Sequence, residues 1–61
     1  MYRLFIAECK KQMFLQEVTQ PKLAEMTGIP YQTIRNFFCG VCTSERVANA
    51  IDKALKMKYF D

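Results

Sequence analysis

The chain has no histidine, only two glycines, two prolines and three cysteines among its 61 residues. Without histidine it lacks the commonest general base and the commonest metal ligand. Two glycines, far apart, make no loop of the kind that cradles phosphates. Ser44 has no base partner in the sequence and no carboxylate pair marks a hydrolytic site, so catalysis is not expected. No apolar run approaches the roughly 18 residues of a membrane span. Glu8, Lys10, Lys11 and Glu17 interrupt residues 1–20, which therefore lack the apolar centre of a signal peptide. An odd number of cysteines fits a secreted disulfide framework poorly, so a reduced, cytoplasmic setting is expected.

What remains is 51% hydrophobic and 25% charged, the composition of a compact, helix-rich domain rather than a disordered chain. The length allows one domain, spanning residues 1–61. A domain this small buries only about 60% of its unfolded surface, and oligomerisation would help it to fold. The net charge of +3 is compatible with a polyanionic partner without requiring one.

Periodicity predicts four helices and no strand, an all-α fold. In YRLFIAECKKQMFLQE, Tyr2, Phe5, Ile6, Cys9 and Met13 recur at three- and four-residue steps and share one face. Leu4, Phe14 and Leu15 fall on the opposite side, and a helix apolar on two sides is usually covered on two sides. Thr19 is a natural N-cap for a short helix over about 20–27, with Pro21 in its first turn and Gly28 as its stop. A second short helix, YQTIRNFF, follows with Pro30 expected in its first turn, and Gly40 ends it. Thr43 and Ser44 are cap candidates for the last helix, whose stripe is Val47, Ala48, Ile51, Ala54 and Leu55. Lys53, Lys56 and Lys58 crowd its C-terminal end, where the helix dipole favours cations.

Two short helices around a tight glycine turn, after a longer helix, suggest a helix-turn-helix over about 20–39. Gln20, Ala24, Gly28, Ile34 and Phe37 follow the pattern Q-x3-A-x3-G-x5-I-x2-hydrophobic. Ala24 is small where two helices would cross closely, and Gly28 permits a left-handed turn. Ile34 and Phe37, with Leu23 and Val18, would fill the core beneath the crossing. In these positions TQPKLAEMTGIPYQTIRNFFCG resembles the phage-repressor and Cro-like helix-turn-helix family, the XRE type, and the likeness extends over about residues 5–57.

The resemblance implies a bundle of four helices, or five if the final KYFD forms one, and a transcription regulator that binds double-stranded operator DNA as a homodimer, without a cofactor or a membrane. In that family the second short helix enters the major groove. Ile34 and Phe37 would point inward, which leaves Tyr31, Gln32, Arg35 and Asn36 to face the bases; Gln and Asn suit adenine, and Arg suits guanine. Gln20 and the first N–H groups of its helix, Thr33 and Arg46 are implied phosphate contacts, with Lys22 and Lys10 as weaker ones. Any small helical domain carries Gln, Asn and Arg on its wet face. Four such residues on the helix after the matched turn favour base reading.

The chain departs from the family in three places. Several members carry an Arg–Glu ion pair where this chain has Met13 and Phe38, so an apolar contact is expected instead. Val41, Cys42 and Thr43 replace basic loop residues that would reach phosphates. The helix that often makes the dimer is reduced, leaving Tyr59, Phe60 or the Leu4, Phe14 and Leu15 face as substitutes, or as ordinary packing and a frayed tail.

Cys39 and Cys42 form a C-x-x-C around Gly40. A tetrahedral zinc site needs four ligands and this chain offers three thiols, with Cys9 on an apolar face. Reactive thiolates prefer helix N-termini, whereas these follow a C-terminus. The spacing is best read as a consequence of where the glycine had to be. Two alternatives stay open: a protein-binding module on the same scaffold, such as an anti-repressor, and a MerR-like relation, since TGIPYQTIRNFF resembles that family's opening turn.

Overall fold

Four helices pack around one apolar cluster in a computed structural model that describes residues 2–60. They are α1 (Arg3–Gln16), α2 (Gln20–Thr27), α3 (Tyr31–Phe38) and α4 (Glu45–Leu55). There is no strand among the described residues. The all-α expectation holds, and both short helices have the expected limits. The Cα radius of gyration is 10.1 Å.

Each helix contributes the face that its periodicity marks. Phe5, Cys9 and Met13 of α1 are buried, with Tyr2 and Ile6 half-buried beside them. Leu23 comes from α2, Ile34, Phe37 and Phe38 from α3, and Val47, Ala48, Ile51 and Leu55 from α4. Met13 and Phe38 therefore lie in the same cluster. Burying a side chain of this kind stabilises by about 1.5–3 kcal/mol before entropy is counted. Val18 and Ala24 pack against the cluster from its edge.

Capping explains where the helices begin and end. The Thr19 hydroxyl accepts the Lys22 N–H at 3.3 Å and Ser44 accepts that of Val47 at 3.4 Å. Gly28 adopts φ 73° and hands its N–H to the Ala24 carbonyl at 2.9 Å. The Thr27 hydroxyl secures this turn, donating to the Leu23 carbonyl at 2.9 Å while accepting the Ile29 N–H at 3.3 Å. Pro30 is not in the first turn of α3. With ψ at 140° it is the flanking residue, and its carbonyl receives the N–H groups of Thr33 and Ile34. At the far end Gly40 takes φ 84°, its N–H bonding to the Phe37 carbonyl while that of Val41 reaches Asn36. This is a complete Schellman closure, one residue beyond the Cys39 cap.

The segment 57–60 forms no fifth helix. It folds back instead. The carboxylate of Asp52, the one charged side chain buried among the described residues, accepts the Tyr59 N–H at 2.9 Å. The Tyr59 and Phe60 rings then sit 5.1 and 4.8 Å from that of Phe5, each still about half exposed. Tyr2 reaches Phe37 at 5.4 Å, so a continuous aromatic group ties α1, α3 and the tail.

Candidate nucleic-acid interface

The candidate surface is built on α3. Ile34 and Phe37 are fully buried and Phe38 nearly so, which fixes both the roll and the position of this helix. Tyr31, Gln32 and Arg35 consequently stand exposed on its outer side. Asn36 does not stand free as expected. It is half-covered, and its Oδ1 accepts the Gln32 side-chain amide at 3.2 Å. The two residues suited to adenine are thus engaged with one another across one helical turn. The Asn36 carbonyl is also occupied, receiving the N–H groups of Val41 and Cys42 at 2.9 and 3.2 Å.

The expected phosphate contacts divide into two places. Thr33 and Arg46 line one cleft with Gly28, Ile29, Pro30 and Ser44, where α3 and α4 begin. Gln20 and Lys22 lie at the other end of α2, about 12 Å along an eight-residue helix. There the expected row of free N–H groups is reduced. Pro21 has none and the Lys22 N–H is held by Thr19, so the cap leaves that of Gln20. The Lys22 ammonium stands 3.8 Å from Glu25, an exposed pair of little energetic consequence.

Lys10, a weaker phosphate candidate, and further basic groups gather in two other places. Arg3 and Lys10 of α1 line a groove with Phe38, Cys39 and Gly40, beside the carbonyl end of α3 that attracts cations. Lys53, Lys56 and Lys58 surround a cleft with Asn49 and Phe60. The sequence gathers the three lysines at the end of α4, but not Arg3 and Lys10 beside the end of α3 or Phe60 beside the lysines, which depend on the placing of α1 and on the folded-back tail.

Cys9 is fully buried, and its thiol is pushed up from 9.0 to about 12 by burial first, then by the Asp52 and Glu8 carboxylates. Cys39 is exposed and Cys42 half-exposed on either side of the Gly40 turn. No group of three or more metal-ligating side chains comes together among the described residues. No described helix is long and apolar enough to cross a membrane.

No family model, curated protein or solved structure matches the chain.

Proposed function

We propose that this chain is a non-enzymatic, sequence-specific regulator of transcription that binds operator DNA as a homodimer, with α2 and α3 forming a helix-turn-helix of the phage-repressor type. The observation that carries the reading is the state of α3. Three buried side chains fasten it to the core, while Tyr31, Gln32 and Arg35 extend outward from its first turns. A recognition helix needs this combination, because base reading depends on rigid presentation of a few side chains in the major groove. Arg35 suits the paired acceptors of guanine. The Gln32–Asn36 bond orders two amides before contact and leaves the Gln32 carbonyl and the remaining amide hydrogens for adenine. Tyr31 adds an aromatic surface for a sugar or a thymine methyl.

Backbone contact would come from Arg46 and Thr33 on one side and the Gln20 N–H on the other. Of these groups only Arg46 is a cation, so a homodimer would neutralise two phosphates through them and give a slope of about −2 in log affinity against log salt. A band shift on DNA flanking the gene, repeated across a salt series, tests this. Retarded DNA with that salt dependence supports the reading, and no retardation at low salt contradicts it.

A protein-binding role is the second reading, favoured by Val41, which is 75% exposed in the loop after α3, where the resembled family often carries basic residues. Retained partner binding after alanine replacement of Tyr31, Gln32, Arg35 and Asn36 would support it over DNA reading.

A further inference from the structure

The outer side of α1 is unusually apolar for a wet surface. Leu4 is 78% exposed, Phe14 83% and Leu15 62%, and none of them belongs to the core cluster or to the side chains packed against it. They are ordered along the helix together with two charges. Leu4, Glu8, Lys11 and Leu15 follow steps of four, three and four residues, the seam spacing of paired helices. At 3.6 residues per turn these four lie within an arc of about 60°. Ala7 and Phe14 flank the same edge of that seam.

We propose that this seam is the site at which a second copy of the chain docks, α1 against α1 in antiparallel orientation about a two-fold axis. The charge order selects both the occupant and the direction. A two-fold axis midway between Leu4 and Leu15 sets each leucine against the other leucine of the second copy. The same axis sets Glu8 against Lys11 twice, so the two central charges of each helix are matched. Phe14 then covers the flank near Leu4 and Ala7 of the second copy. Parallel pairing would oppose Glu8 to Glu8 and Lys11 to Lys11, and like charges across an interface oppose association. The sequence LxxxExxKxxxL is therefore complementary to itself in one orientation.

The size of the face sets the strength. A standard stable interface takes about 800 Å² per partner, roughly a fifth of this chain's 4367 Å². One helix of 14 residues, about 21 Å long, supplies less than that. The dimer is accordingly concentration-dependent and in exchange with monomer. This inference names a contact for the homodimer of the DNA reading, while its own observations lie on α1 alone.

Sedimentation of the full chain without DNA, from micromolar to near-millimolar concentration, tests it. The wild-type chain should pass from monomer to dimer. Glu8→Lys and Lys11→Glu should each weaken the dimer roughly tenfold or more, and the double variant Glu8→Lys/Lys11→Glu should restore it. Leu15→Lys should leave a monomer with unchanged helical circular dichroism. A wild-type chain that stays monomeric throughout, single swaps without effect, or a double swap that fails to restore association would each overturn the proposal. Since no DNA is present, none of these outcomes bears on α3 as a reading helix.

Discussion

The Gln16 side-chain amide donates to the Leu55 carbonyl at 3.0 Å, joining the last turn of α1 to the last turn of α4 across 39 residues of sequence. The same amide group stands 3.4 Å from the Gln12 side-chain oxygen Oε1, and the Gln12 side-chain amide in turn donates to the Glu8 carboxylate at 3.1 Å. A ladder of side chains thus runs down one flank of α1 and ends on a carbonyl that α4 cannot satisfy within itself. Gln16→Ala should lower unfolding free energy by about 0.5–1 kcal/mol in urea titration. Gln16→Glu should cost more, because a carboxylate cannot donate and stands at the negative end of α4.

Glycine and glutamate at helix stops should respond in opposite directions. Gly28 has φ 73° and an added Cβ would meet nothing within 4 Å, so Gly28→Ala carries only the strain of a left-handed backbone. A loss of roughly 1 kcal/mol is expected. Glu17 holds φ 57° after α1 and brings a negative charge to a helix C-terminus. Glu17→Gly should therefore stabilise, by up to about 1 kcal/mol. Thermal melts of the two variants check the signs.

Met13 and Phe38 occupy one apolar cluster although they lie 25 residues apart in sequence. Met13→Ala should cost about 2–5 kcal/mol and Phe38→Ala about 3–5 kcal/mol, enough to leave a 61-residue domain largely unfolded. Chemical denaturation gives the values, and a cost near zero at either site would remove it from the core.

Cys9 links stability to alkaline pH. Its folded-state thiol, near 12, lies above its ordinary value of 9.0, so the folded chain holds that proton more tightly. The contribution is complete below about 9 and is lost as pH rises from there toward 12. Cys9→Ala should flatten this alkaline decline relative to wild type, whatever it does to stability at neutral pH. A thiol reagent should meanwhile modify Cys39 and Cys42 in the folded chain and Cys9 only after unfolding.

Legibility in the sequence followed local chemistry. Thr19, Gly28 and Gly40 mark the limits of α2 and α3 because caps and left-handed stops have residue signatures. The ends of α1 and α4 carry no such signature, since Glu17 and Lys56 adopt the left-handed turn without glycine. Buried Asp52 was invisible among the charges of α4, because what buries it is the folded-back tail that binds it through Tyr59. The outward set on α3 was readable from Ile34 and Phe37, but not the half-covering of Asn36 or its bond to Gln32, which belong to the folded arrangement. The pairing of Thr33 with Arg46 in one cleft likewise required the tertiary arrangement of α3 and α4.

The central claim, that α3 reads bases, is tested most directly by selecting bound duplexes from a random pool and measuring the ratio of specific to non-specific affinity for wild type, Arg35→Ala and Arg46→Ala. A selected site is expected. Arg35→Ala should lower the ratio about 100-fold or more through loss of one bidentate base contact in each protomer, whereas Arg46→Ala should weaken both affinities alike and leave the ratio unchanged. A pool that yields no enriched site, or a ratio indifferent to Arg35, would contradict the account.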